Sequence, residues 1–352
     1  MPIISTERIG VAFDMAGCPN RCRHCWLGKG NNRTLSETDV RWGVAQFREF
    51  IQQADTPIRT LAVSTHFREP DFRDDYRYLY DLEAELGDGK PNRFELLSMW
   101  RIARDRTYLP WAKSVGPDTC QITFFGMQKT TDWFYRRKGA FADALTATER
   151  LLDSGMKPRW QVFLTTNLLP ELDDLLALQE KITGSYDEFK IFLNLPGPEG
   201  EARKLEHLRP ATDQVSDLPE KLLTASRRHL DKEVLWSTEA ELVSEIVSAR
   251  FLKEDPTEDL WFFVCSNWDV YSNIGTLEPW WCIGNLKTDS VDTILRRYEN
   301  NEVPGLKTLH HLSPAYLVKE FGNANGLKIY SSRDDLLALY SEKLCRRDWN
   351  QK

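Results

Sequence analysis

The sequence predicts an α/β fold built on a parallel sheet. Strand and helix patterns alternate six times over the first two thirds of the chain. The connections between them are short. Helical stretches stop at glycines such as Gly87, Gly116 and Gly155. Alternation of this kind means right-handed βαβ units, which bring successive strands together in parallel. An open doubly wound sheet and a curved barrel both satisfy the pattern. Either one gathers its functional groups at the C-terminal edge of the strands.

The first strand is Ile9 to Phe13. Ser36-Glu37-Thr38-Asp39 reads as a capping box, and Val40, Val44, Phe47 and Ile51 follow at helical spacing. Thr60 to Ser64 is the second strand, and Arg73 to Leu86 the helix after it. Phe94 to Ser98 is read as the third strand and Thr107 to Val115 as a short helix. Cys120 to Phe125 is the fourth strand, with Cys120 in the core. A clear helix runs from Ala140 to Ser154, with Phe141, Leu145, Leu151 and Leu152 as its apolar stripe. Arg159 to Leu164 is the fifth strand, Leu172 to Ile182 a helix, Phe189 to Leu193 the sixth strand and Gln214 to Ala225 the sixth helix.

Around Lys232 the rhythm changes, and the chain divides into residues 1–231 and a C-terminal extension, 232–352. In the extension, Thr238 to Ala249 reads as a charged helix, Leu260 to Val264 as a buried strand and Val270 to Gly275 as a hairpin region. Ser290 to Arg297, Pro314 to Phe321 and Arg333 to Leu344 read as helices. The pair His310-His311 reads as loop. Trp261, Trp268, Trp280 and Trp281 read mostly as core of the extension, with some covering the mouth of the site.

Composition excludes several function classes. The 352 residues carry 46 Lys and Arg against 53 Asp and Glu, a formal net charge of −7. That balance argues against nucleic acid or an acidic membrane as a partner. No apolar run is long enough to span a bilayer, and the N-terminus lacks the pattern of a secretory signal. The seven cysteines are unevenly spaced, unlike a secreted disulfide framework. The expected compartment is the reducing cytoplasm.

Three of those cysteines fall within eight residues: Cys18-Pro-Asn-Arg-Cys22-Arg-His-Cys25. Three thiolates in one loop can hold three corners of a four-iron cluster and leave the fourth iron open to another ligand. Structural zinc is the competing use, but it needs a fourth ligand, and His24 is cramped between Cys22 and Cys25. With its place just after an apolar N-terminal strand, the loop resembles the signature of radical S-adenosylmethionine (radical SAM) enzymes. The resemblance implies a partial (β/α)6 barrel. It also implies a [4Fe-4S] cluster on Cys18, Cys22 and Cys25 whose open iron chelates SAM. Reductive cleavage of SAM then gives a 5′-deoxyadenosyl radical that abstracts hydrogen from a substrate. In similar enzymes the residue before the third cysteine is often an apolar aromatic. Here it is His24, and Trp26 is expected to cover the cluster instead.

Further site residues follow from the resemblance. Glu69-Pro70, after the second strand, matches the end of a Gly-Gly-Glu-Pro-like turn that binds the methionyl amine, although both glycines are missing. Ser98 falls where similar enzymes place a polar group near SAM. Arg137, in Arg136-Arg137-Lys138-Gly139, sits at a helix start where basic groups and free amides hold a carboxylate. Arg159 and Gln161 point to one face of the fifth strand, where the Arg needs a partner such as an anionic ligand. Asn194 is placed to reach adenine.

Cys265, Gly275 and Cys282 resemble the opening of a SPASM or twitch domain, which carries auxiliary clusters. Only Cys345 remains downstream, so a second cluster on Cys265, Cys282 and Cys345 is possible on the count but not favoured. The expected function is a radical SAM enzyme acting on a small, natural-product or sugar-like molecule, since no leader-gripping domain precedes Cys18. The alternatives are a maturase acting on a peptide side chain and a non-catalytic iron–sulfur or zinc protein. The expected partners are that substrate and an electron donor such as flavodoxin or ferredoxin. Arg21, Arg23 and Lys29 make the cluster loop a basic landing place for the donor.

Overall fold

The computed structural model describes residues 6–28, 32–91, 93, 96–184, 189–248 and 260–351. In chain order it begins with β1 (Arg8–Phe13), α1 (Glu37–Gln53), β2 (Thr60–Ser64), α2 (Tyr76–Leu86), α3 (Met99–Ile102), α4 (Tyr108–Ser114) and β3 (Thr119–Phe124). There follow α5 (Gln128–Tyr135), α6 (Ala140–Asp153), β4 (Lys157–Phe163), α7 (Leu172–Thr183), β5 (Lys190–Asn194) and α8 (Glu220–Leu230). The C-terminal part holds β6 (Ser237–Thr238), α9 (Glu239–Ser248), β7 (Leu260–Val264), β8 (Asp269–Ser272), β9 (Gly284–Asn285) and α10 (Val291–Glu299). It ends with α11 (Pro304–His311), α12 (Pro314–Phe321), β10 (Ile329–Tyr330) and α13 (Arg333–Trp349).

The capping box forms as the sequence requires. Asp39 N–H donates to Ser36 Oγ, and Ser36 N–H donates to Asp39 Oδ2, a pairing worth about 1 kcal/mol at a helix start. The buried face of α1 is then Val40, Gly43, Val44 and Phe47.

Two sheets wall one cavity and make the partial barrel. The first runs β2-β1-β7-β8-β9 and the second β3-β4-β5. β1 is parallel to β2 on one side and to β7 on the other, with Ile9 opposite both Leu61 and Leu260. β3, β4 and β5 are mutually parallel. β8 turns back antiparallel on β7. The aromatic strand expected in the extension is therefore a neighbour of the first strand. Gly10 allows this close fit, because a Cβ there would overlap the Trp261 ring. Each sheet has its own apolar core, one around Phe13, Phe47 and Phe262 and the other around Phe124, Phe134 and Trp160. A smaller core unites α9, α12 and α13. Among the described residues no helix is long and apolar enough to cross a membrane.

Several expectations are corrected. The third strand is not observed. Phe94 and Glu95 lie outside the described residues, and Leu96 to Ser98 is irregular. Ser98 accepts a hydrogen bond from Arg101 N–H and so caps α3 instead of ending a strand. The sixth helix begins at Glu220, because Thr212 to Val215 forms a separate 3₁₀ turn ahead of Pro219. His310 and His311 close α11 and are not loop. Helix α5 was not foreseen at all. Trp280 and Trp281 are core: both indole N–H groups point to Glu342 of α13, and Gly275 and Gly305 leave room for the Trp281 ring.

Candidate active site

The cluster loop follows β1 and is fixed by backbone bonds from four directions. Met15 and Ala16 donate to Thr65 O after β2, and Asp14 donates to Val264 O at the end of β7. Arg23 donates to Phe134 O of α5, and Glu201 N–H closes onto Cys25 O from the loop after β5. Gly200 makes this last approach possible. It has φ +53°, and a Cβ would overlap the Trp26 carbonyl. Beneath the loop, Arg68 pairs with Asp14 at 3.2 Å, both nearly buried. Burial pushes the Asp14 carboxyl up, partly offset by Arg68.

Cys18, Cys22 and Cys25 line one cavity of about 830 Å³ together with Glu69, Gln161 and Asn194. All three are free thiols. Burial pushes Cys18 up to about 12, with the Glu69 charge adding to it. Burial and then the charges of Cys18 and Cys25 push Cys22 well above the usual thiol range. Burial also raises Cys25. As thiolates, the three beside a carboxylate would need a compensating positive charge, such as iron would supply. Asn20 N–H already donates to Cys18 Sγ at 3.4 Å. A zinc ion with bonds of about 2.3 Å to sulfur draws its ligands tightly together. Among the described residues no three His, Cys, Asp or Glu side chains converge to hold a single ion.

His24 is packed among aromatic rings. Its ring lies 4.5 Å from Phe125 and 5.1 Å from Phe163. Burial lowers its pKa to about 3, so it is neutral. Trp26 is 42% exposed at the rim and packs on Phe263 at 5.9 Å.

Glu69 and Ser98, on separate connections, meet: the Ser98 hydroxyl donates to Glu69 Oε1 at 2.6 Å. Burial raises the Glu69 carboxyl, against the hydrogen bonds from Ser98 and the Trp100 backbone. Gln161 accepts from Gln121 Nε2 and from Thr123 Oγ1, because Gln121 lies opposite Arg159 and Thr123 opposite Gln161 in the β3–β4 register. Asn194, the last residue of β5, faces the same space.

Two expected residues are placed differently. Arg159 donates to Gln121 Oε1 at 2.9 Å, so a neutral amide on the next strand is one partner where an anionic ligand was expected. Arg137 does not line the cluster cavity. It donates to Asn20 Oδ1 in the cluster loop and to Asp143. The amides expected to be free at the start of α6 are taken, since Gly139 and Phe141 N–H both donate to Asp132. It is Arg136 that reaches the cavity, paired with Glu201 at 3.1 Å. Gln121, Thr123 and Glu201 were not singled out from the sequence, and Arg136 was named only within the motif of Arg137. Gln121 and Thr123 alternate along β3 with the buried Cys120, Ile122 and Phe124, and that period of two was the available signal.

On its outer side the cluster loop borders a second cavity of about 600 Å³, lined by Arg23, Lys129, Trp133, Arg136, Arg137 and Lys138. Arg23 stacks over the Trp133 ring at 4.1 Å. In the C-terminal part, Cys282 donates to Gly284 O at 3.4 Å. Burial, and then the charges of Cys282 and Cys265, raise the pKa of the Tyr271 hydroxyl. Cys345 is buried against Thr308 Oγ1 at 3.4 Å.

No protein-family model matches the chain, and no curated protein does. Among solved structures it is similar to native anSMEcpe with bound AdoMet and Cp18Cys peptide, at 11% identity over 98% of this chain and 99% of that one, with a TM-score of 0.46. It is also similar to Streptococcus suis SuiB bound to S-adenosylmethionine, at 11% identity over 85% and 66% of the two chains, with a TM-score of 0.48. For SuiB bound to precursor peptide SuiA the values are 12%, 84%, 64% and 0.45. The geometry of the site itself, rather than these likenesses, carries the functional reading.

Proposed function

We propose that the chain is a radical SAM enzyme. The observation that carries this is the meeting of Cys18, Cys22 and Cys25 with Glu69, Gln161 and Asn194 around one cavity at the C-terminal ends of parallel strands. A [4Fe-4S] cluster held by the three thiolates would, with SAM, supply the radical that removes a hydrogen atom from substrate. The chain's residues do the rest. Glu69 accepts the methionyl ammonium, a charge-assisted bond, and Ser98 orients it. Gln161 and Asn194 offer amides to the nucleoside part. Arg159 fixes Gln121 and through it Gln161. Arg137 steadies the cluster loop through Asn20. In this reading residues 1–231 are the core, and residues 232–352 complete it by setting β7 beside β1.

A cavity of about 830 Å³ holds a ligand of drug size and leaves limited room beyond SAM. Its mouth is flanked by apolar groups that remain exposed, Trp26 at 42% and Leu96 at 61%. Such a rim suits a substrate that extends outward, so we place a peptide side chain ahead of a small metabolite. Peptides are bound in the anSMEcpe and SuiB structures named above. The second cavity supports the electron-donor partner. Its cations gather beside Arg23 of the cysteine loop on an otherwise acidic chain.

The test is anaerobic reconstitution with iron and sulfide, reduction in the presence of SAM, and chromatography of the products. Formation of 5′-deoxyadenosine is expected. A reconstituted, reducible protein that leaves SAM intact would overturn the reading. Tritium or deuterium carried from a labelled peptide, rather than a small molecule, into 5′-deoxyadenosine distinguishes the substrates.

A further inference from the structure

The turn that carries Glu69 has no glycine, yet it delivers a carboxylate into the cavity. Its left-handed residue is Asp71, with φ +53°. A non-glycine residue in that region is strained and persists where its surroundings over-determine it. Here they do. Asp71 is 3% exposed. Its carboxylate accepts from Arg93 Nε at 3.2 Å and from the Tyr108 hydroxyl at 2.8 Å, and its carbonyl accepts from Arg101 Nε at 3.2 Å.

Tyr108 is fully buried at the first turn of α4. Its ring packs in an aromatic layer with Tyr76 and Trp111, where a phenyl ring would serve equally. Its hydroxyl does something a phenyl cannot. It donates to Asp71, and it accepts from Ser98 N–H at 3.3 Å. Ser98 in turn donates its hydroxyl to Glu69. The bonds close a circuit that runs from Glu69 through Pro70 and Asp71 to Tyr108, then through Ser98 back to Glu69. One buried hydroxyl thus sets the spacing between the turn that bears the carboxylate and the residue that aims it.

We propose that Tyr108 is a positioning residue for SAM, acting through Asp71 and Ser98 on the Glu69 carboxylate. The proposal rests on the reading of Glu69 as acceptor of the methionyl amine. The test is calorimetric titration of SAM into the cluster-reconstituted chain under anaerobic conditions. It compares the native chain, Tyr108→Phe, Glu69→Gln and the double variant, with iron per chain and near-ultraviolet dichroism as controls.

Tyr108→Phe should weaken SAM binding about three- to tenfold, the scale of one neutral hydrogen bond, at unchanged iron content. In the Glu69→Gln background the same substitution should change affinity less than about twofold, since the group being positioned is gone. A residue that only supports the fold would weaken binding equally in both backgrounds, and that result overturns the proposal, as does native affinity in Tyr108→Phe. Native affinity in Glu69→Gln would instead overturn the reading of Glu69, and the proposal with it. If Tyr108→Phe does not fold, Ser98→Ala replaces it in the same cycle. Ser98→Ala breaks the circuit at its cavity end, and the same coupling to Glu69 is required of it.

Discussion

The Ser98 hydroxyl donates to the Glu69 carboxylate at 2.6 Å across 29 residues of sequence. Two connections, one after β2 and one before α3, are thereby joined within the cluster cavity. The Trp100 backbone also donates to this carboxylate. Glu69→Ala should weaken SAM binding by about 1.5–3 kcal/mol, the worth of a hydrogen bond to a charged group. Iron content should not change, and equal affinity by calorimetry would refute the assignment.

Replacing Cys18, Cys22 and Cys25 together by alanine should abolish the iron–sulfur absorbance after anaerobic reconstitution. Iron analysis of the native chain should give about four irons, as for a single four-iron cluster. About eight would mean that Cys265 and Cys282, which lie near each other beside Tyr271, hold a second one. Cys345 is turned toward Thr308 and is the weakest candidate for a shared ligand.

Glu199 makes stability depend on pH. Burial, with the charges of Glu342 and Asp335 facing it from α13, raises its carboxyl from 4.5 to about 7. The unfolded chain releases this proton at the lower value, so the folded state loses relative stability as pH rises from about 4.5 to 7. Glu199→Gln removes the titration. The difference in Tm, variant minus native, should be near zero at pH 4.5, grow through pH 6 and level off above pH 7. A difference independent of pH would exclude the effect.

The basic outer face predicts how the cluster is reduced. Lys129→Glu combined with Lys138→Glu places negative charge where an acidic donor would approach. Reduction by a flavodoxin should slow about tenfold or more at low salt, with the gap narrowing as salt rises. Reduction by dithionite should be unaffected. Equal slowing with both reductants would show damage to the site and not to docking.

What the sequence disclosed follows the range of its physics. Local signals held: the capping box at Ser36, the Gly87 stop and the apolar strands of both sheets. That the cysteine loop, Glu69, Gln161 and Asn194 share one cavity follows from their places at or beside the C-terminal ends of strands, whereas Ser98 was named for a strand end and caps α3 instead. Phe94 to Ser98 misled because a short apolar run has no period to distinguish a strand from the approach to a helix. Helix α5 hid behind Thr130, Thr131, Trp133 and Tyr135, types that favour strands until packing overrides them. Arg137 was misplaced because Asp132, outside the motif, takes the amides at the start of α6. Pairings that depend on register, Gln121 with Gln161 and β7 with β1, cannot be read from either strand alone.

The position of β7 has a consequence for how this protein is made. β1 leaves the ribosome well before β7, since this hydrogen-bonded neighbour lies about 250 residues later in the chain. During synthesis its amides and carbonyls on that side face water, and the anchor that Val264 gives to Asp14 does not yet exist. Contacts of such sequence separation form slowly and late. The loop bearing Cys18, Cys22 and Cys25 therefore acquires its full support only once Val264 has been made and β7 has paired with β1.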